Sequence, residues 1–181
     1  MTGTRPDHPA LPGLTSLATI HRGATTGADV QLSLGKRADY SVRAVLDLAQ
    51  HHRRGRRKAA EISADMAVPI TYLPQLLAEL VHAGIVTSVA GRRGGYELAR
   101  RPAEISLLEV IEAADGTMIS TECVLRGGPC EGESFCAVHP PFARAQEAFR
   151  AALGATTFAE VAAIERHLPG PDQYLPVRDG S

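Results

Sequence analysis

The chain's hydrophobic periods predict a mostly α fold with a small β-wing: a winged helix-turn-helix domain followed by a long dimerisation helix. Three observations predict it. Apolar residues recur at helical spacing in three successive segments before Gly84. The pattern then switches to two short strand-like runs around the glycine turn "AGRRGG". Further on, "HPPFARAQEAFRAALG" carries an apolar stripe longer than one small core needs.

Each element follows from its residues. Val42, Val45, Leu46 and Ala49 give a helix over 37–50, which the charged loop "HHRRGRRK" ends. Ala59, Ile62 and Met66 form one face of a short second helix. Leu73, Leu76, Leu77 and Leu80 form the stripe of a third, with Gly84 in the C′ position after it. Pro74 is tolerated in the first turn, where its missing N–H has no partner to lose. Ile85–Val89 and Tyr96–Ala99 read as paired strands. Ser106 and Glu109 are spaced as a capping box for a helix bearing Leu107, Val110, Ile111 and Ala114 and stopped by Gly116. Phe142, Ala145, Phe149, Ala152 and Leu153 stripe the long helix, which Gly154 is expected to close. Thr157 and Glu160 cap a last helix reaching about His167. The expected organisation is a disordered extension or over-long start at 1–31 and a DNA-binding domain at 32–101. A cysteine loop with pairing helices at 102–167 and a flexible tail at 168–181 complete it.

Charge narrows the function. The net charge is -1, yet residues 34–101 hold 12 Lys+Arg against 6 Asp+Glu, and the rest hold 7 against 14. A basic block beside an acidic one points to a polyanion partner for the first half only. No apolar run approaches the roughly 20 residues that span a bilayer, and the basic run 51–58 has no apolar face to insert. With no secretion signal, the reading is cytoplasmic, where thiols stay reduced. The third helix offers Thr71, Tyr72 and Gln75 from its N-terminal turn to a major groove. Arg92 and Arg93, between glycines at the wing tip, suit phosphate or a narrow minor groove. Within the basic run, Arg53, Arg54 and above all Arg56, Arg57 and Lys58 are candidates for further phosphate contacts.

All three cysteines, Cys123, Cys130 and Cys136, lie in one glycine-rich loop, with His139 three residues after the last. An odd number of clustered cytosolic thiols argues against a disulfide framework and for metal or redox chemistry. A Cys3His zinc site and a metal-free thiol–disulfide switch both match the ligand types. An enzyme built on Cys136 and His139 is the remote alternative. It lacks a recognisable orienting acid and oxyanion site.

The runs "LSLGKRADYSVRAVLDLA", "TYLPQLLAELVHAGIVTSVAGRRGGYELAR" and "ISLLEVIEAADG" resemble the IscR/NsrR family of bacterial winged-helix transcription regulators. The resemblance covers about Leu32 to His167. It implies a homodimer that binds promoter DNA, commonly as a repressor, with half-sites about 34–36 Å apart. It also implies an iron–sulfur cluster, [2Fe–2S] or [4Fe–4S], on Cys123, Cys130 and Cys136, sensing redox state, nitric oxide or cluster supply. Three thiolates leave a four-ligand set incomplete. The resemblance offers His139 for the fourth place in one branch, and Asp39, lent by the partner subunit, in the other. Two residues depart from the family pattern. Ala90 stands where relatives often carry a wing arginine, and Pro74 where relatives can have a charge, so no operator sequence carries over.

Overall fold

A computed structural model of the chain describes residues 34–118, Cys123, Leu125, Pro129 and residues 136–167. The expected extension, Cys130 and the tail lie outside the described residues. Among these residues the order is α1 (Lys36–Gln50), α2 (Ala59–Met66), α3 (Leu73–His82), β1 (Val86–Val89) and β2 (Gly95–Leu98). A single 3-10 turn (Pro102–Glu104), α4 (Leu107–Asp115), α5 (His139–Ala155) and α6 (Phe158–Glu165) follow. This is the expected winged helix: mostly helical, with a small β-wing.

The core forms around α1, because its alternation of small and branched residues lets neighbours approach from several sides. Ala44, Val45 and Leu48 are buried there with Ile62 of α2, Leu73, Leu77 and Leu80 of α3, and Phe158 of α6. Each large side chain so buried contributes about 1.5–3 kcal/mol. The core crosses the expected boundary at 101/102, since Ile105, Val110 and Phe158 belong to the same cluster as the first three helices. Backbone bonds reinforce this: Leu107 N–H donates to Thr156 O (2.8 Å) and Phe158 N–H to Ile105 O (2.9 Å), tying the entry of α4 to that of α6.

β1 and β2 pair antiparallel with Val86 opposite Leu98 and Val89 opposite Gly95. The turn between them needs its glycines for different reasons. A Cβ on Gly94 would lie 2.0 Å from Val89 O, whereas Gly95 takes φ +147° and faces Arg57 O.

Three details differ from the sequence expectation. α5 runs through Gly154 to Ala155, because a glycine ends a helix only where the backbone turns left-handed. α6 ends at Glu165, with Arg166 and His167 in the turn beyond it. Ser106 caps α4 by accepting from Glu109 N–H (3.2 Å), but the Glu109 carboxylate takes Arg100 as its partner, so only half of that capping box forms. The Thr157–Glu160 box forms completely.

Candidate nucleic-acid interface and cysteine centre

α3 is amphipathic by necessity. Leu73, Leu76, Leu77 and Leu80 are buried, so the opposite side must face solvent. Thr71, Tyr72 and Gln75 are exposed on that side. Tyr72 leans on Tyr40 of α1 (ring centroids 5.7 Å), which limits its freedom while leaving half its surface open. Gln75 Nε2 donates to Glu79 Oε1 (3.3 Å), and Glu79 Oε2 receives Arg37 of α1 (2.8 Å). The face is therefore polar, ordered and fixed to the body of the domain.

The wing presents Arg92 and Arg93 exposed at its tip. The basic run, expected to be a solvated loop, is partly built into the fold. Arg57 pairs with Tyr96 of β2 through two backbone bonds (2.9 and 2.8 Å), so the run ends as a strip along the wing. Its guanidinium binds Asp47 bidentately (2.9 and 3.0 Å) and also Asp65. The hydrogen bond that Arg57 donates to Asp47 is the largest influence raising its pKa above the ordinary value, with burial opposing it. Arg56 pairs with Glu97 (3.0 Å). Lys58 Nζ donates to the carbonyls of Gly91 (3.4 Å) and Arg92 (3.2 Å), bracing the turn that carries the wing arginines. Of the expected phosphate contacts in the run, Arg57 is turned inward, while Arg56 and Lys58 also hold the wing.

Asp47, which lies outside the expected site residues, is fully buried and anchors this arrangement. Its signal was an acid inside the apolar run "AVLDLA" of a helix's inner face. Asp47, His51 and Asp65 converge closely enough to hold a cation. The Arg57 guanidinium between the two carboxylates already supplies the positive charge.

Cys136 lies in the turn that opens α5, where His139 N–H donates to Cys136 O (3.2 Å). This places a thiol and an imidazole within one turn, both half-buried. Cys123 is also half-buried, and neither Cys123 nor Cys136 is in a disulfide. Cys130 is outside the described residues. Asp39 sits in the first turn of α1 and accepts from Arg43 Nε (3.0 Å). In α4, Glu112 accepts from Met118 N–H (3.1 Å) and binds Arg150 of α5. Burial works against ionisation of Glu112, but these two donors prevail and hold its carboxyl below the ordinary range. One carboxylate thus joins α4, the start of the cysteine segment and α5.

Among the described residues no helix is long and apolar enough to cross a membrane. The fold is similar to that of CymR, the global cysteine regulator of B. subtilis, with a TM-score of 0.64 and 25% identity over 74% of this chain and 98% of that one. IscR of T. potens gives a TM-score of 0.60 and 27% identity over 80% and 97%. In sequence, the HTH-type transcriptional regulator IscR of Xenorhabdus nematophila is 34% identical over 130 residues, 72% of this chain and 79% of the relative. The protein of the same name from Aliivibrio salmonicida is 38% identical over 108 residues, 60% of this chain, and the match spans only 64% of that relative. The profile of the Rrf2 family, described as an iron-dependent transcriptional regulator, matches residues 34–164, and the chain belongs to that family.

Proposed function

We propose that the chain is a homodimeric regulator of transcription, acting as a repressor, which binds promoter DNA through α3 and the wing. Its grip is set by an iron–sulfur cluster on Cys123, Cys130 and Cys136. The observation that carries the reading is the make-up of α5. None of its residues is buried, Phe142 and Phe149 stand exposed on it, and the Cys136–His139 turn opens it. A second copy of α5 would cover that face, and whatever the cysteines hold would bear directly on the pairing helix. The names of the relatives and the family's description as iron-dependent support the same reading.

The described donors fit such a group: Cys123 and Cys136 offer soft, half-buried sulfur atoms outside any disulfide, with an imidazole in the same turn as Cys136. A bound cluster would supply sensitivity to oxidants, to nitric oxide or to iron–sulfur supply. His139 can serve as fourth ligand from the same chain. Asp39 of the partner subunit would first have to give up Arg43. On the DNA side, Thr71, Tyr72 and Gln75 would meet base edges, and Arg92 and Arg93 the backbone or minor groove.

Anaerobic purification followed by iron and acid-labile sulfide analysis, with selection of binding sites from random DNA, tests both halves. A brown protein that selects a palindromic site, and a Cys130→Ala variant that loses iron and changes DNA affinity, are the expected results. A colourless zinc protein would reject the cluster, and absence of any selected site would reject the DNA reading. Replacing both Arg92 and Arg93 with alanine should weaken binding to all sequences and reduce the salt slope by about one unit for each phosphate no longer neutralised.

A further inference from the structure

An open cleft of about 560 Å3 lies between the C-terminal ends of α1 and α6 and the 3-10 turn, and none of its lining residues belongs to α3, the wing or the cysteines. Its floor is small and apolar, including Pro102, Ala159 and Ala162. Its walls carry Arg53, Arg54, Arg101 and Arg166 with His51 and His52, and no carboxylate of the described residues lines it. Of the four arginines, only Arg101 has an acidic partner among the described residues, Glu104 (Nε to Oε1, 3.0 Å).

Cations often gather at helix C-termini to neutralise exposed carbonyls, but here histidines already do so. His51 Nδ1 meets Asp47 O (2.9 Å) and His167 Nδ1 meets Ala163 O (2.7 Å). The guanidinium groups are in excess of that need. Like charges gathered in one cleft repel one another, and an anion would offset that repulsion. Arg53 adds a second, independent sign. It holds φ +66°, a left-handed conformation usually left to glycine or asparagine, two residues before a glycine at +108°. A long side chain kept in such a conformation is the kind of strain that gathers at binding sites.

We infer that this cleft binds a phosphate-bearing anion. Its volume falls within the roughly 300–1,000 Å3 of small-molecule sites, and guanidinium forks suit phosphate oxygens in pairs. The phosphate can belong to a small phosphorylated molecule or to a DNA backbone, and the test separates the two.

The full chain is titrated calorimetrically with inorganic pyrophosphate at physiological salt, and separately with a random-sequence duplex over a salt series. Arg53→Gly suits its backbone conformation, so its melting temperature should equal or exceed the parent's. Saturable pyrophosphate binding, about tenfold weaker in Arg53→Gly and in Arg166→Gln but unchanged in the Arg144→Gln control on α5, supports the cleft as a site for a small molecule. A shallower duplex salt slope in the same two variants, without pyrophosphate binding, supports it as a backbone contact. No effect in either titration, or equal loss in Arg144→Gln, overturns the inference. None of these readings depends on the cysteines or on iron.

Discussion

α1 and α5 are the two long helices of the described chain, with 15 and 17 residues, and they are stabilised in opposite ways. Eight residues of α1 are buried, among them Ser41 and Asp47, and α2, α3, α4, α6 and β2 all pack against it. α5 has none buried. Its alanines favour the helix, and prolines in its first turn cost no backbone bond there. Contacts with α4 and the Glu112–Arg150 pair hold it to the chain. α1 is completed by its own chain, while α5 carries Phe142 and Phe149 more than a third exposed. The contrast separates a helix packed on several sides from one whose two phenylalanines are left exposed, the face the proposed dimer would use.

The sharpest way to break this contrast is to cut equivalent side chains on each side of it. Phe158→Ala removes a fully buried ring and should cost about 3–5 kcal/mol in urea unfolding. Phe149→Ala should leave the unfolding of a dilute monomer within about 0.5 kcal/mol while shifting sedimentation from dimer to monomer. Equal costs from the two truncations, with no change in association, would show that α5 is packed within its own chain. Asp47→Ala sharpens the head side. It strips Arg57 of its buried partner and should cost about 3–5 kcal/mol, loosening the wing as well, since Arg57 also pairs with Tyr96.

Sequence reading succeeded where one physical rule acted alone. The leucine stripe of α3 and the spacing of β1 and β2 around "AGRRGG" follow from period and glycine content, and the helix boundaries of α1, α2 and α4 match within a residue. It fell short where two side chains far apart in the chain compete for one partner. Glu109 was spaced to close the Ser106 box, but Arg100, brought beside it by the end of β2, takes the carboxylate. Arg57 lay in a run of cations that reads as solvated, and only the buried Asp47 ten residues earlier turns it inward. Gly154 resembles a stop signal, yet without a left-handed turn there α5 runs through it to Ala155. For the candidate site, residue types and spacing were legible, whereas the division of labour within the basic run was not.

A smaller effect probes the wing, which belongs to the head but projects from its core. A Cβ on Gly94 would strike the Val89 carbonyl, and neither group is the loose end of a flexible side chain. Gly94→Ala should therefore cost about 1–3 kcal/mol and displace Arg92 and Arg93 relative to α3. The expected outcome is weaker DNA binding at unchanged oligomeric state, read by fluorescence anisotropy and sedimentation together. A variant that loses dimerisation in the same measure would tie the wing to α5 and blur the distinction drawn above.

The smallest expected effect lies at the seam between the two regions. Glu112 holds Arg150 of α5 and the Met118 N–H at the start of the cysteine segment, and its carboxyl titrates below the ordinary range. A carboxyl whose folded pKa is depressed contributes stability that is present above its unfolded pKa, about 4.3. That stability is lost as pH falls through the lower folded value. Docking of α5 should thus be constant near neutrality and weaken only below about pH 4.3. Amide exchange across 139–155 should rise there while exchange in α1 stays slow. Glu112→Gln should remove the pH dependence and, as a half-buried pair, cost about 1 kcal/mol at neutral pH. Because the same carboxylate positions Met118, the variant should also perturb the cysteine segment. Parallel acid loosening of α1 would mean that the seam does not exist and that α5 and the head unfold as one unit.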